Sequence, residues 1–169
     1  MLKEEMAKKL NEQLNLELFS ANLYLQMSAW CNDKGLEGAN YFFKMQSNEE
    51  MDHMRRLFDY LGDSGIMPTL TALDAPLVNF SSLSKLIKSA YEHEQMITIK
   101  INNLVHVALT LQDYSTFHFL QWYIAEQHEE EKMFKSVIDK LALVNNNSSG
   151  LMFIDQDMKK MSMNNNTTI

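Results

Sequence analysis

Apolar residues recur at three- and four-residue spacing in four long stretches, the signature of amphipathic helices. The first, around 3–32, carries an inward stripe of Leu10, Leu14, Glu17, Ala21, Tyr24 and Ser28. The second, around 36–62, repeats the pattern with Ala39, Phe43, Gln46, Glu50, His53, Leu57 and Tyr60. A third, around 82–110, runs from Leu83 through Ile87, Ala90, Glu94, Ile97, Ile101 and Leu104 to Ala108. After Gln112 and Asp113 the fourth continues to about 144, with Leu120, Tyr123, Gln127, Glu130, Phe134, Val137 and Leu141 facing inward. Each stripe is apolar except near its midpoint, where Glu17, Glu50, Glu94 and Glu130 fall. Midpoints coincide whichever way neighbouring helices run, so the four carboxylates are expected in one layer of a bundle.

The breaks between these stretches predict the topology. Gly35 and Gly38 mark the first turn, Gly62 and Gly65 end the second helix, and an SSLS sequence caps the third. Short turns join helices one and two, and three and four, as antiparallel hairpins. Residues 63–80, with Pro68 and Pro76, form a long link that reaches at most ~60 Å when extended, enough to run the length of the bundle. The pattern 151–161 (LMFIDQDMKKM) predicts a short fifth helix with Leu151, Ile154, Met158 and Met161 on one face, after a hinge-like NNNSSG at 145–150. The Asn- and Thr-rich end, 162–169, is expected to be a disordered tail. The fold class is therefore all-α: one domain over 1–161, a four-helix bundle over about 3–144 with one long crossover loop and a short fifth C-terminal helix.

Composition narrows the partners. The 169-residue chain has 22 acidic against 15 basic side chains, a net charge of −7, which argues against nucleic acid or an anionic membrane as partner. No stretch approaches the ~20 apolar residues of a membrane span, and the N-terminal MLKEEMAKKL lacks the apolar segment of a signal peptide. The single Cys31 permits no intrachain disulfide, so a cytoplasmic location is expected. Cys31 itself reads as a small residue near a helix end, and most of the 13 methionines lie at helical spacing among Leu and Phe as adaptable core fillers.

The chemistry lies in the central layer. Glu50 and His53 sit one turn apart on one helix face and offer an oxygen and a nitrogen ligand together. Four buried carboxylates without lysine or arginine at their level need positive charge, and a pair of metal ions supplies it. Carboxylates with an imidazole suit iron or manganese, although zinc also fits. Of the five histidines only His53 has a glutamate three residues before it; helix four offers EQHEEEK at 126–132 instead. Gln127 and Glu130 share the inward face there, Glu126 and Glu129 flank it, and His128 points away. The two metals should therefore be inequivalent: one with Glu17, Glu50 and His53, the other with Glu50, Glu94 and Glu130 but no imidazole.

These stretches, NLELFSANLYLQMSAW at 15–30, NEEMDHMRRLFDYL at 48–61, EHEQMITIKIN at 92–102, FLQWYIAEQHEEEKMFKSVIDKL at 119–141 and GLMFIDQDM at 150–158, resemble the bacterial non-haem ferritins over essentially the whole chain. The resemblance implies a ferritin-like bundle in which Glu17, Glu50 and His53 form one ferroxidase iron site and Glu94, Glu130 and the shared Glu50 the other. Gln127 would stand close by. Glu49, Glu126 and Glu129, with Glu130, resemble a third, transit iron site, and Tyr24 resembles the tyrosine beside the di-iron pair, a hydrogen-bond or electron donor. Trp122 is either an electron-transfer residue or part of the core. The implied function is iron storage: Fe(II) is oxidised by dioxygen or hydrogen peroxide, and ferric mineral collects inside a homo-oligomeric shell of 24 subunits whose fifth helices meet at fourfold axes.

Other functions fit less well. Met51, directly after Glu50, resembles the haem-ligating methionine of bacterioferritins, but EQHEEE replaces their second Glu-x-x-His and no haem is expected. DNA-protecting mini-ferritins place their sites between subunits and lack a fifth helix. An inert helical shell subunit would be expected to have lost a ligand, and an oxidase of organic substrates would need a gap beside ligands that bulky side chains fill here.

Overall fold

A computed structural model describes residues 2–144 and 147–165 as five helices and their connections: α1 (Glu4–Asp33), α2 (Glu37–Asp63), α3 (Leu83–Thr110), α4 (Tyr114–Leu143) and α5 (Ser148–Asn165). All residues of the four sequence stripes are buried except Tyr60, which is half-buried. The all-α bundle with a crossover and a fifth helix is the fold the periodicity predicts. No helix is long and apolar enough to cross a membrane among the described residues.

Local chemistry sets the ends of the helices. Gly35 (φ 71°) and Gly65 (φ 78°) adopt the left-handed conformation that lets Leu36 N and Ile66 N turn back to the Cys31 and Leu61 carbonyls, both at 2.9 Å. Gln112 (φ 55°) makes the corresponding turn between α3 and α4 without a glycine. Ser82 caps α3 by accepting from Lys85 N, and Asp113 caps α4 by accepting from Thr116 N. Gly38 is not a turn residue as expected but lies inside α2, where a Cβ would meet the Asp155 carbonyl oxygen of α5 at 1.8 Å. Gly62 likewise belongs to the last turn of α2.

The crossover reverses the chain direction between the hairpins. Lys3 Nζ donates to the Leu111 carbonyl at the far end of α3 (2.9 Å), while Trp30 at the end of α1 meets Phe80 edge-on beside the start of α3. Helices α1 and α3 are thus antiparallel, and residues 64–82 run the length of the bundle to connect α2 to α3. Two asparagines of α1 hold this strap. Asn11 and Asn15 each donate to the Thr69 carbonyl at 2.9 Å, and their side-chain oxygens accept from Thr69 N (2.7 Å) and Thr71 N (2.8 Å).

The C-terminal helix is longer than the pattern suggests. It begins at Ser148 and reaches Asn165, so Ser162–Asn165, expected in a disordered tail, are helical. Residues 166–169 of that tail and Asn145–Asn146 of the expected hinge lie outside the described residues. Ile154 and Met158 are buried in the core where α5 packs on α2 and α4, with Leu151 and Met161 packed beside them. Asp155 supplies the cap that α2 lacks within its own sequence: its carboxylate accepts from Gly38 N (2.9 Å) and Ala39 N (2.8 Å).

Two apolar clusters fill the bundle. One includes Met27, Trp30, Phe42, Phe43, Leu86 and Phe134, and the other Met6, Leu10, Leu14, Leu57, Leu61 and Ile101. The glutamates lie between them, at the level where aliphatic packing stops.

Candidate metal centre

The rise of an α-helix puts Glu17, Glu50, Glu94 and Glu130 at the middle of four neighbouring helices, and the structure brings them together. All are buried, with relative exposures of 1% for Glu17, 3% for Glu50, 0% for Glu94 and 8% for Glu130. His53, one turn after Glu50, is 6% exposed, and its Nδ1 lies 3.2 Å from Glu50 Oε2. Ligand atoms of Glu17, Glu50 and His53 all fall within 4.8 Å of one another, close enough to hold one ion. The other half is built from α3 and α4. Glu94 receives a short hydrogen bond from the Tyr24 hydroxyl and one from Gln127 Nε2 at 3.0 Å.

Burial leaves the cage electrostatically uncompensated. Among the described residues no lysine or arginine pairs with any of the four glutamates; their ion pairs lie elsewhere, and the one such contact in the cage is His53 with Glu50. Glu17 Oε2, Glu50 Oε2 and Glu130 Oε2 are buried and accept no hydrogen bond. Loss of water raises the proton affinity of all four carboxyls above the ordinary value of 4.5. Repulsion from Glu94 and Glu17 raises Glu50 further, and repulsion from Glu94 and Glu50 does the same to Glu130. Opposing the burial, His53 and Gln13 lower Glu17, and Tyr24 and Gln127 lower Glu94. Tyr24 keeps its proton strongly, first because it is buried and then because Glu94 and Glu50 are beside it. Unpaired oxygens on mutually repelling carboxylates suit divalent cations.

The outer acidic residues converge on a second feature. Glu49, Glu126, Glu129 and Glu130 line a cavity of ≈ 1020 Å³ between α2 and α4, together with His53 and Trp122. Gln46 donates a short hydrogen bond to Glu49 Oε2, while its own Oε1 is buried without a partner. Glu129 also pairs with Lys132 at 3.3 Å. Trp122 stands edge-on to His53 with ring centroids 5.1 Å apart, and the Arg56 guanidinium lies 4.3 Å from its ring centroid. Met51 packs against the cluster that contains Met54 and Leu57. Cys31 is buried and its thiol is pushed up to about 12, mainly by burial, which suits a packing residue rather than a reactive one. His128 is exposed.

Several supporting side chains escaped the sequence reading. Gln13 Nε2 donates to Glu17 Oε1 at 2.9 Å; its position one turn before Glu17 and its burial among leucines were the available signal. Tyr123 donates to the His53 carbonyl at 2.7 Å and so braces the turn that carries the imidazole. Nothing in the local sequence marks that contact, because it joins α4 to α2.

A helical bundle with a crossover strap and a buried carboxylate–imidazole cage defines a ferritin-like metal-carboxylate protein. Residues 7–144 match the family described as Ferritin-like domain. A bacterial non-heme ferritin of Escherichia coli is 54% identical over 165 residues, spanning 98% of this chain and all of the relative, and one of Campylobacter jejuni is 45% identical over 96% of the chain and 98% of the relative. The solved open pore ferritin of Archaeoglobus fulgidus superposes with a TM-score of 0.93 at 34% identity, covering 94% of this chain and 98% of that one. The chain belongs to the bacterial non-heme ferritins, a family of iron-storage proteins.

Proposed function

We propose that the protein oxidises Fe(II) at a di-iron centre within each subunit and stores the ferric product as mineral inside a homo-oligomeric shell. The observation that carries this reading is the set of three buried carboxylate oxygens, from Glu17, Glu50 and Glu130, that accept no hydrogen bond and pair with no lysine or arginine, while the His53 imidazole stands 3.2 Å from that of Glu50. Iron is the substrate here. One Fe(II) would bind Glu17, Glu50 and His53, and the second Glu94, Glu130 and the shared Glu50. Each ion gives one electron to dioxygen, which with two protons leaves as hydrogen peroxide; hydrogen peroxide can itself take the two electrons and two protons and leave as two waters. Carboxylate-rich ligation favours Fe(III) over Fe(II), so the cage supplies driving force for electron loss.

The supporting side chains have distinct roles in this reading. Gln13 steers one oxygen of Glu17 and leaves the other for metal. Tyr24 and Gln127 hold Glu94, and Tyr24 is placed to return an electron or a proton to the centre. Glu49, Glu126 and Glu129 with Glu130 form a weaker third site through which iron passes, since only parts of that cavity are buried.

Assembly into a 24-subunit shell rests on family membership and on the surface. Met67, Leu70, Leu77 and Val78 of the strap are exposed large apolar groups, as are Met152 and Phe153 of α5, and such surface suits contact with further copies of the chain. Aerobic loading with Fe(II) tests both parts of the proposal. The expected result is rapid oxygen consumption at about two irons per subunit, followed by an iron-filled particle of roughly 24 chain masses on native mass measurement. Slow oxidation no faster than free iron would overturn the ferroxidase reading, and an iron-loaded monomer would overturn the shell.

A further inference from the structure

A second cavity adjoins the centre, and neither the cage nor the acidic groove accounts for it. It measures ≈ 230 Å³ and lies between α3 and α4, lined by Thr98, Asn102, Gln127, His128 and Glu131 over an apolar floor of Ile101 and Ile124. At about 100° per residue, its α4 side chains fall on the face roughly opposite the one that presents Glu126 and Glu129 to the larger cavity. Gln127 and Glu130 lie between those two faces. The centre is thus flanked by cavities on two sides of α4, reached on the smaller side through Gln127, and the two cavities have different chemistry.

We infer that the α3–α4 cavity is the port through which divalent iron reaches the centre, with His128 and Glu131 as a landing pair and Thr98 and Gln127 as its throat. This rests on the ferroxidase reading. His128 and Glu131 are one helical turn apart, the same spacing as Glu50 and His53 in reversed order, and so offer an imidazole and a carboxylate side by side. A mixed nitrogen and oxygen pair suits Fe(II), whereas the carboxylate-rich groove on the other face, with Glu49, Asp52, Glu126, Glu129 and Glu130, suits the harder, more highly charged Fe(III). From the landing pair inward the polar groups are continuous. Thr98 Oγ1 donates to Glu131 Oε1 at 2.6 Å, and Gln127 Nε2 lies 3.4 Å from Thr98 Oγ1 and 3.0 Å from Glu94 Oε2. A cation shedding water at the mouth meets the oxygens of Glu131 and Thr98, and the Gln127 amide, which bonds both Thr98 and Glu94, must swing aside to pass it to Glu94. The cavity also has room for a partly hydrated ion, each water occupying ~30 Å³. Two protein ligands hold an ion weakly, and among the described residues only Glu17, Glu50 and His53 gather three. A port requires that weakness.

Two variants test the port by different means: His128→Ala/Glu131→Gln removes the landing pair, and Asn102→Trp blocks the mouth from an exposed position. Cobalt(II), followed by its visible absorption on rapid mixing with metal-free protein, reports loading without redox chemistry, and the first oxidation of sub-saturating Fe(II) reports the same step in turnover. Both variants should load cobalt at least ~5-fold more slowly, while its equilibrium affinity stays within about 2-fold of wild type. First-round oxidation should be slowed to match at low Fe(II) and should recover at saturating Fe(II). Wild-type loading rates in both variants overturn the port, and so does slowing seen only when Glu126 and Glu129 are replaced by Gln. Wild-type protein that binds cobalt but fails to oxidise Fe(II) overturns the ferroxidase reading itself and takes the port with it.

Discussion

The two halves of the carboxylate cage are held in different ways. On the α1–α2 side, Glu17 is steered by Gln13 from its own helix, Glu50 faces the imidazole of His53, and three ligand atoms already lie within 4.8 Å. On the α3–α4 side, Glu94 is held from two other directions by Tyr24 and Gln127, while Glu130 keeps a buried oxygen with no partner. The first half is compact and has a nitrogen donor. The second is all oxygen, and its two carboxylates are anchored unequally. Under the proposed reading, such a centre would hold one ion firmly and exchange the other, which a storage protein needs if its product is to leave. Glu50 joins the halves, because the charges of Glu94 and Glu17 both act on it.

The largest effect should therefore come from removing the residue common to both sides. Glu50→Ala is expected to reduce the initial rate of Fe(II) oxidation by at least ~100-fold in stopped-flow measurements, with assembly intact because the side chain is internal. The same change should raise the thermal midpoint of the metal-free protein, since one of several repelling carboxylates is gone. A variant that oxidises at the wild-type rate would dissolve the distinction between the halves.

Next in size is the pH dependence of the metal-free fold. Glu17, Glu50, Glu94 and Glu130 all bind protons more tightly in the folded state than the ordinary value of 4.5. Their contribution to stability is fully present below that value and is lost as pH rises through the raised ones. Thermal unfolding of metal-free protein between about pH 5 and 8 should show the midpoint falling with pH, and bound divalent metal should remove most of the slope. A midpoint that rises over this range would mean the carboxyls are paired in a way the geometry does not provide.

A smaller effect is expected outside the cage. Replacing Glu49, Glu126 and Glu129 together by Ala should leave the first oxidation within about 3-fold of wild type, because none belongs to either half, yet change the iron-to-oxygen ratio over repeated loading. Loss of the first event would place these residues in the primary centre. Unchanged later rounds would reduce them to a solvated acidic face.

Much of this architecture is legible in the sequence, for a physical reason. A buried helical stripe must be apolar, so a glutamate at the middle of each stripe stands out against the packing requirement, and helix geometry converts position in sequence to depth in the bundle. That reasoning located Glu17, Glu50, His53, Glu94 and Glu130 in one buried layer. It failed where contacts join distant segments. The clasp of Asn11 and Asn15 on Thr69 and Thr71, and the Tyr123 bond to the His53 carbonyl, depend on which helices are neighbours and leave no local periodic trace. Gly38 misled because glycine reads as a turn, whereas here it admits the backbone of α5. Polar composition misled at 162–165, where Ser162 is buried and donates to the Met158 carbonyl at 3.2 Å within a helix.

The central claim is a pair of unequal metal positions that share Glu50. Crystals soaked anaerobically with Fe(II) and measured at the iron absorption edge test it most directly, with His53→Ala and Glu94→Ala beside the wild type. Two peaks per subunit are predicted in the wild type, one among Glu17, Glu50 and His53 and one among Glu50, Glu94 and Glu130. His53→Ala should weaken the first and Glu94→Ala the second. A single peak, or both variants losing the same peak, would contradict the account.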